Sequence, residues 1–369
     1  MTGEAIRQAV ILVGGKGTRL GAATQRIPKP MLPIAGERPF LDYLLELIER
    51  HGYRDIVLLA GHLGEAVEAA YGGRRIGEAT TRVVREKVPL GTAGALTAAR
   101  DALDPRFLLL NGDAFFDINL RALEQASRQS GAIATLALRA VPDAARYGRV
   151  IEEKGRVVAF LEKDASRPGP GVINGGVYVL KREILDFVRA LPCSLEQDVF
   201  PELVQQGEVA GREFDGYFLD IGLPETLEQG HRELSQTRAR PAAFLDVGAL
   251  VKAAAGAESG RWRADAVEAV RGLNDRGHYV FVLGGRDAEI EARLAPEGAH
   301  VDRFYPADPQ SRSSALDRAM KDWPIVRERS LLVGGGSADV EAARKAGVAA
   351  YPLSGSGLAE LVRAALAKG

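Results

Sequence analysis

The sequence predicts an α/β protein with two domains. In the first half, short apolar runs alternate with amphipathic helical patterns, as in Ala9–Val13, Phe40–Arg50 and Ile56–Ala60. Strands separated by helices at this spacing are typical of a parallel sheet covered on both faces. A chain of 369 residues is longer than the chain that folds around one ordinary hydrophobic core. A second α/β series also follows a polar stretch, Glu233–Pro241, that ends in proline.

The first series continues beyond residue 60. Its further predicted elements are the helix His62–Tyr71, the strand Thr81–Val84, the helix Ala93–Ala102 and the strand Phe107–Leu110. Between Asp143 and Val179 the pattern changes to short strands bounded by Gly and Pro, which predicts a locally antiparallel or mixed insert. Those strands are Arg149–Glu152, Arg156–Glu162 and Val172–Leu180.

The second series predicts three strands and three helices. They are the strand Ala242–Asp246, the helix Ala264–Arg276, the strand Tyr279–Leu283, the helix Arg312–Lys321, the strand Ser330–Val333 and the helix Asp339–Ala346. We therefore expect domains at 1–238 and 239–369.

Composition excludes several classes of partner. The chain has 48 basic and 49 acidic residues, so its charge predicts neither a nucleic acid nor a membrane as partner. A single cysteine, Cys193, rules out an intrachain disulfide and a thiolate metal cluster. The polar start Met1–Ala9, with no apolar run near the roughly 18 residues of a membrane span, predicts a cytoplasmic protein. A homo-oligomer is compatible with this composition, and the five histidines, without ligand spacing, are expected in loops or at the surface.

A glycine-rich segment, Gly14-Gly15-Lys16-Gly17-Thr18-Arg19-Leu20, follows the first strand. Its glycines let backbone N–H groups approach an anion, and its two basic residues add positive charge. It is not a dinucleotide-binding fingerprint, because Leu20 stands where a glycine is required, and it lacks the Ser or Thr of a Walker A loop. By itself it fits either a tight turn or a phosphate loop.

Lys29 lies between two prolines in the segment Ile27–Pro33. Three prolines favour an extended conformation, which keeps this lysine off a helix surface. A rigidly held cation close to a glycine loop suits a polyphosphate. The alternative is a solvated loop lysine.

Two aspartates follow apolar runs. Asp113 comes after Phe107–Leu110, and Asp220 lies within Phe218–Gly222. Open α/β sheets bind ligands beyond the carboxyl ends of their strands, and two carboxylates with phosphate oxygens suit Mg²⁺. The pair therefore predicts a magnesium site, although either aspartate alone fits a helix cap or an Asx-turn.

The order of these motifs resembles that of the sugar-1-phosphate nucleotidylyltransferases over about residues 6–232. The motifs are the glycine loop, Pro28-Lys29-Pro30, Asn111-Gly112-Asp113, Phe160–Lys163, Ile173–Tyr178 and Phe218–Gly222. Secondary motifs resemble the D-glycero-D-manno-heptose-1-phosphate guanylyltransferase branch: Pro28–Gly36, Pro39–Leu41, Pro89–Ala95, Arg146–Gly148 and Ser194–Asp198.

The resemblance implies transfer of a nucleoside monophosphate from an NTP to a sugar 1-phosphate, with Mg²⁺ as cofactor. Its implied catalytic residues are Arg19, Lys29, Asp113, Lys163 and Asp220, with Asp113 and Asp220 as metal ligands. Its implied nucleotide-binding residues are Gly14, Gly15, Gly17, Thr18, Glu86, Gly91 and Thr92. Its implied sugar-binding residues are Gly148, Glu162 and Asn174. Among these, the Glu86 carboxylate matches the N1–H and amine donors of guanine, which favours GTP.

The second domain resembles the haloacid dehalogenases, with Asp246 at the nucleophile strand and Gly334–Asp339 at the metal-binding turn. The family's acid/base aspartate is Gly248 here, its Thr or Ser is Gly284, and its lysine is not apparent in 308–312. We therefore expect a degenerate, non-catalytic domain, because an aspartate without a partner acid cannot protonate a leaving group.

Three alternatives stay open. The first is a bifunctional enzyme whose second domain has heptose-1,7-bisphosphate phosphatase activity. The second is an enzyme whose first domain acts on mannose 1-phosphate or another hexose 1-phosphate. The third is a regulatory protein built on an inactive transferase fold, although retention of the five implied catalytic residues argues against this.

Overall fold

The computed structural model describes residues 4–161, 166, 168–252, 261–285, 288–353 and 357–367. The chain divides into two compact units. We call 6–49 with 53–234 the N-terminal unit, and 235–367 with the short segments 4–5 and 50–52 the C-terminal unit. The division falls between Leu234 and Ser235, and the predicted boundary, between residues 238 and 239, lies just beyond it.

The N-terminal unit is built on a large mixed sheet. Its strands are β1 (Gln8–Leu12), β4 (Asp55–Ala60), β5 (Arg75–Ile76), β6 (Ala79–Arg85), β7 (Arg106–Asn111), β9 (Ala134–Val141), β10 (Arg149–Glu153), β11 (Arg156–Leu161), β12 (Gly171–Lys181) and β13 (Val209–Glu213). Two small sheets accompany it: β2 (Pro33–Ile34) with β3 (Arg38–Pro39), and β8 (Ala114–Phe116) with β14 (Phe218–Asp220).

Strand order in the large sheet is β10-β11-β13-β9-β12-β7-β1-β4-β6-β5. Strands β7, β1, β4 and β6 are parallel to one another, whereas β12 runs antiparallel to both β7 and β9. The prediction of parallel strands followed by a mixed region is therefore confirmed. The antiparallel hairpin of β10 and β11 forms the insert expected after Asp143.

Six helices cover this sheet within the described residues. They are α1 (Phe40–Arg50), α2 (Gly64–Tyr71), α3 (Gly91–Ala98), α4 (Leu120–Ser130), α5 (Phe200–Gln205) and α6 (Pro224–Glu233). Helix α4 begins where the Asn119 side chain accepts hydrogen bonds from two backbone N–H groups, and it ends at Gly131 in the left-handed conformation.

The central strands are apolar because both faces of the sheet are covered. In β1, Ala9 and Ile11 pack into one core while Val10 packs into the other. Such near-continuous apolar runs are typical of parallel strands that are buried on both faces. The carboxyl ends of β1, β4 and β7 consequently lie at one edge of the sheet, where polar loops begin.

The C-terminal unit has a second, smaller sheet. Its strands are β15 (Ala242–Asp246), β18 (Tyr279–Leu283), β19 (Arg303–Tyr305), β20 (Leu331–Gly334) and β21 (Ala349–Pro352), with the short pair β16 (Val251–Lys252) and β17 (Arg261–Trp262) apart from it. Its helices are α7 (Val247–Leu250), α8 (Ala266–Asn274), α9 (Ala288–Leu294), α10 (Arg312–Asp322), α11 (Ser337–Ala346) and α12 (Leu358–Leu366).

The order of this sheet is β19-β18-β15-β20-β21, and all of its strand pairs are parallel. All six elements predicted for this half of the chain are present, and β18 has the predicted bounds. In neither unit do the described residues include a helix that is both long and apolar enough to cross a bilayer.

Candidate active site

A cavity of about 560 Å³ opens at the carboxyl edge of β1, β4 and β7 in the N-terminal unit. Most of the predicted nucleotide-binding residues line it. These are Gly14, Gly15, Glu86, Gly91 and Thr92, joined by Lys29 and Asp113. The parallel arrangement explains the convergence, because loops that follow neighbouring parallel strands emerge on the same side of the sheet.

The later half of the glycine loop does not reach this cavity wall. Gly17 and Thr18 were predicted to bind the nucleotide and Arg19 to be catalytic, yet none of them is among the lining residues. Gly17 has φ +61°, and its carbonyl accepts hydrogen bonds from the Leu20 N–H and the Thr24 hydroxyl. This glycine therefore shapes the turn, and the exposed Arg19 lies in the 3₁₀ helix Thr18–Thr24 that follows.

Backbone hydrogen bonds join the 89–95 segment to the loop that contains Cys193. The Cys193 N–H donates to the Leu90 carbonyl at 2.8 Å, and the Cys193 carbonyl accepts from Ala93 N at 3.0 Å. Gly91 has φ +77°, and a Cβ atom there would lie 2.3 Å from the Cys193 carbonyl oxygen. Only glycine fits this position without displacing the loop, so the cavity wall has a fixed shape.

Glu86 lies in the wall of the same cavity. Its Oε2 accepts a hydrogen bond from Leu90 N at 3.1 Å, which orients the carboxylate. Burial raises the pKa of the Glu86 carboxyl, and the hydrogen bond from Leu90 partly opposes that rise. A half-buried, oriented carboxylate is a good acceptor for paired N–H donors of a ligand.

Lys29 is buried and bonded to Asp113. Its Nζ donates to Asp113 Oδ2 at 2.6 Å, with 9% of the lysine side chain exposed and 45% of the aspartate side chain exposed. The expectation of an extended segment was wrong at this residue, because Lys29–Met31 forms a 3₁₀ turn closed by the Leu32 N–H. The turn directs the lysine inward, so the alternative of a solvated loop lysine is also wrong.

Asp220 stands beside Asp113 through strand pairing. Strand β14 pairs with β8 so that Asp220 lies opposite Ala114, and Ile221 N donates to the Asp113 carbonyl at 3.0 Å. The pKa of Asp220 is raised, first by burial and then by the charge of Asp113, while Lys29 lowers it. The two predicted aspartates are therefore brought together, with a single lysine bonded to one of them.

A second cavity of about 350 Å³ adjoins this acidic pair. Gly148 and Asn174, both predicted sugar-binding residues, line it together with Asp220. Asn111 and Asp113 belong to the walls of both cavities. The two spaces therefore meet at the Asn111-Gly112-Asp113 motif.

A hydrogen-bonded chain of side chains connects the two cavities. Asn174 Nδ2 donates to the Tyr178 hydroxyl at 2.9 Å, and that hydroxyl donates to Glu196 Oε1 at 3.2 Å. Glu196 Oε2 accepts from the Thr92 hydroxyl at 3.3 Å. Burial raises the pKa of Tyr178 well above its usual value, which keeps the hydroxyl protonated as a donor. Glu196 is consequently held between Thr92 of the first cavity and the second cavity.

Sequence reasoning did not assign Asn111, Tyr178 or Glu196 to the site. Asn111 and Tyr178 belong to motifs in which only Asp113 and Asn174 were given roles, and Glu196 belongs to a motif that was used only as a family marker. Two other predicted residues, Glu162 and Lys163, lie outside the described residues.

The histidines lie where they were expected: His51, His62, His278 and His300 are in turns or loops, and His231 is exposed on α6. His62 lines the first cavity. His51, His278 and His300 are buried. Burial lowers the pKa of His278 to about 4, so this histidine is neutral at physiological pH.

The arrangement suits the joining of two anionic molecules. The first cavity offers glycine-loop backbone and the Lys16 and Lys29 side chains, while the second offers neutral and acidic hydrogen-bonding groups together with Arg149. Charge neutralisation and positioning are the two means by which proteins promote phosphoryl-type transfer, since little covalent participation is needed.

Comparison with known proteins agrees with this geometry. A model of the nucleotidyl transferase family, described as "Nucleotidyl transferase", matches residues 8–237. The D-glycero-alpha-D-manno-heptose 1-phosphate guanylyltransferase of Aneurinibacillus thermoaerophilus is 35% identical over 62% of this chain and 98% of its own length. The mannose-1-phosphate guanylyltransferase of Mycobacterium tuberculosis is 37% identical over 61% of this chain and 64% of its own length. The crystal structure of HddC from Yersinia pseudotuberculosis complexed with GMP-PN aligns with TM-score 0.56 and 29% identity, covering 62% of this chain and all of that one.

Proposed function

This chain belongs to the nucleotidyl transferase family, and we propose that it transfers GMP from GTP to D-glycero-D-manno-heptose 1-phosphate, releasing pyrophosphate. The coarser activity, nucleotidyl transfer to a sugar 1-phosphate, follows from the family and its relatives. The observation that carries the proposal is the meeting of two cavities at Asp113, with Lys29 bonded to that aspartate.

The reaction is an in-line displacement at the α-phosphorus. A phosphate oxygen of the sugar 1-phosphate forms the new P–O bond while the bond to the departing pyrophosphate breaks. No covalent intermediate on the protein is required, so the protein must position both anions and offset their charge. Lys29, buried in the wall of the first cavity and bonded to Asp113, supports this role because a desolvated ammonium interacts strongly with phosphate oxygens.

The donor set at the junction also fits Mg²⁺. Asp113 and Asp220 are hard oxygen donors placed close enough for the charge of Asp113 to raise the pKa of Asp220, while the charges of Lys29 and Arg146 lower that pKa. We therefore propose these two residues as the magnesium ligands. When bound, a divalent ion supplies charge neutralisation at the phosphate oxygens.

Glu86 supports guanine as the base. Its carboxylate is oriented by Leu90 N in the wall of the larger cavity, and two acceptor oxygens match the N1–H and exocyclic amine of guanine. The bound GMP-PN in the Yersinia structure is consistent with a guanine nucleotide in this fold.

The heptose is supported by relatives and by the second cavity. Asn174 and Glu196 present hydrogen-bonding groups to a polyhydroxylated ligand there. Mannose 1-phosphate is the second candidate, since the M. tuberculosis mannose-1-phosphate guanylyltransferase is 37% identical to this chain over the matched residues. The two sugars differ by one carbon of the side chain, which the second cavity has to accommodate.

A pyrophosphate-release assay tests these assignments together. Each of the four NTPs is combined with D-glycero-D-manno-heptose 1-phosphate, mannose 1-phosphate and glucose 1-phosphate. The proposal expects the highest kcat/KM for GTP with the heptose phosphate. Highest turnover with mannose 1-phosphate selects the second candidate, and no turnover with any pair contradicts the proposal.

We propose that the C-terminal unit does not catalyse phosphate-ester hydrolysis. Gly248 stands where the dehalogenase resemblance implies an acid/base aspartate, and the metal-binding turn that it implies at Gly334–Asp339 has a glycine at 335. A phosphate-release assay run in parallel tests whether the C-terminal unit hydrolyses phosphate esters. The chain, incubated with a heptose bisphosphate and Mg²⁺, should release no inorganic phosphate. Release that an Asp246→Ala variant loses would instead support the bifunctional alternative.

A further inference from the structure

The hydroxyl group of Thr92, the second residue of α3, is bonded to a part of the fold outside the first cavity. It accepts a hydrogen bond from Leu195 N at 2.7 Å and donates to Glu196 Oε2 at 3.3 Å. Both partners belong to the short π-helical segment Leu195–Val199. Thr92 lines the first cavity, whereas Glu196 lines the second. The Thr92 side chain therefore connects the walls of the two cavities.

The bonding capacity of this hydroxyl is largely used. A hydroxyl group has one proton to donate and two lone pairs that accept. In Thr92 the proton is directed to Glu196, and one lone pair accepts from Leu195 N. Phosphate oxygens and the guanine carbonyl are acceptors, so they need a proton from the protein. The Thr92 hydroxyl cannot donate to these groups of a nucleotide without releasing Glu196.

The Glu196 carboxylate is held at both of its oxygen atoms. Oε1 accepts from the Tyr178 hydroxyl at 3.2 Å, and Oε2 accepts from the hydroxyls of Thr92 and Ser194, each at 3.3 Å. An ionised carboxylate has about four acceptor positions. Three are used here, which leaves about one for a hydroxyl group of a ligand in the second cavity.

The donors on either side of Glu196 are fixed by their own surroundings. Tyr178 is completely buried, and its hydroxyl accepts from Asn174 Nδ2 at 2.9 Å. Thr92 is fixed by the start of α3, where two backbone N–H groups donate to the Cys193 carbonyl. A carboxylate between two fixed donors is already oriented before a ligand arrives, and such preorganisation lowers the entropic cost of binding.

We propose that Thr92 is a positioning residue for the sugar phosphate, although it lines the cavity assigned to the nucleotide. Its hydroxyl fixes Glu196, and Glu196 accepts a hydrogen bond from a hydroxyl group of the sugar. This inference rests on the proposed function, because it takes the second cavity as the sugar site. It differs from the role that the family resemblance implies for Thr92, which is binding of the nucleotide.

The Thr92→Val variant tests this role, because valine has the shape of threonine with a methyl group in place of the hydroxyl. Initial rates of pyrophosphate release are measured with the NTP and the sugar 1-phosphate that the unaltered chain prefers. KM for the sugar 1-phosphate should rise by about 10-fold, while KM for the NTP stays within about 2-fold, because the lost proton served Glu196. Thr92→Ser keeps the hydroxyl and should restore the KM for the sugar 1-phosphate. A rise in the KM for the NTP alone, or an equal rise in both, would overturn the inference.

Thr97→Val is the matched control on the same helix. The Thr97 hydroxyl donates to the Ala93 carbonyl, and Thr97 is not among the residues that line either cavity. Both KM values should stay unchanged in this variant. If Thr97→Val raised the KM for the sugar 1-phosphate as much as Thr92→Val does, the effect would belong to α3 as a whole and the inference would be wrong.

A Glu196→Ala background shows whether Thr92 acts through Glu196. Glu196→Ala should raise the KM for the sugar 1-phosphate by about 10-fold or more. Adding Thr92→Val should then change that KM by less than about 2-fold, because residues that act through one group are not additive. A second increase as large as the one seen without Glu196→Ala contradicts the inference.

Tyr178→Phe keeps the test decisive if Thr92→Val does not fold. It removes the donor from the other oxygen of Glu196, so it should also raise the KM for the sugar 1-phosphate and leave that for the NTP unchanged. Equal rises in both KM values would contradict the inference. If the unaltered chain turns over no pair of NTP and sugar 1-phosphate, the proposed function fails and this inference fails with it. Turnover without the expected difference between the two KM values contradicts this inference alone.

Discussion

The two units place the same chemical groups at strand ends and use them differently. In the N-terminal unit, Lys29 bonds one aspartate, Asp113, which stays 45% exposed beside a cavity, while Asp220 keeps a raised pKa. In the C-terminal unit, Arg312 forms ion pairs with both Asp246 and Asp339, and the exposed fractions of the three side chains are 9%, 17% and 7%. Two carboxylates with one cation can thus form either an open binding site or a closed structural cluster.

The difference follows from the type of basic side chain and from the element of the fold that carries it. Lysine offers a compact charge that reaches a single carboxylate, whereas arginine offers donors along two directions. Lys29 comes from a proline-flanked 3₁₀ turn at the cavity wall, whereas Arg312 opens a helix beside the sheet edge. Lys29 therefore contacts one carboxylate of its pair, whereas Arg312 contacts both carboxylates of its pair.

The largest expected effect comes from removing the exposed acid of the open pair. Asp113→Ala should lower kcat for pyrophosphate release by about 10³-fold. The site loses one of the two carboxylates proposed to hold Mg²⁺ at the reacting phosphate, and Lys29 loses its ion-pair partner. Steady-state kinetics measures the rate, and far-UV circular dichroism checks the fold. Asp104→Ala, an exposed aspartate outside both cavities, is the control. Near-normal turnover of Asp113→Ala would break the comparison.

Removing the lysine should have a smaller effect on rate and a distinct effect on pH dependence. Lys29→Met should lower kcat by about 10²-fold. Lys29 lowers the pKa of Asp220, so without it that pKa rises further and the carboxylate protonates at a higher pH. The acid limb of the pH–rate profile should therefore move to higher pH.

A control lysine separates this shift from a general change in charge. Lys181 is bonded to the Gly131 carbonyl and lies outside both cavities. Lys181→Met should leave the profile where it is. An acid limb that stays in place in Lys29→Met would show that Asp220 does not limit the reaction at low pH.

The smallest expected effect is on nucleotide choice. Glu86→Gln replaces one acceptor oxygen with a donor NH₂, which suits the N3–H and carbonyl of uracil better than the two donors of guanine. The ratio of kcat/KM for GTP to that for UTP should fall by about 10-fold or more. Glu65→Gln, an exposed residue paired with Arg85, is the control. Equal losses for both nucleotides would remove Glu86 from base recognition.

Much of the fold was predictable because its elements are local and apolar. Helix α1 and strand β18 have the predicted bounds, since a strong periodic pattern is bounded by clear turn signals. The 3₁₀ turn at Lys29 was not predicted, because three nearby prolines favour extended backbone and the turn is selected by burial of the lysine. Tertiary contact outweighed local preference there.

The site was predicted less completely, for reasons of sequence distance. Asp113 and Asp220 were paired correctly because each follows a strand. The contacts of Glu196 with Thr92, and of Arg312 with Asp246, join residues from different parts of each unit. A single sequence carries no signal for such contacts. The assignment of Gly17, Thr18 and Arg19 to the site depended on the glycine-rich, basic pattern and on the resemblance, and neither shows which residues of the loop face the cavity.

The wall shared by the two N-terminal cavities affects the kinetics expected for the proposed reaction. Asn111 and Asp113 border both spaces, so the nucleotide-sugar formed across them occupies the places of both starting molecules. Under the proposed reaction, this product competes with each substrate in turn, and the rate at which it leaves limits how soon the next cycle begins.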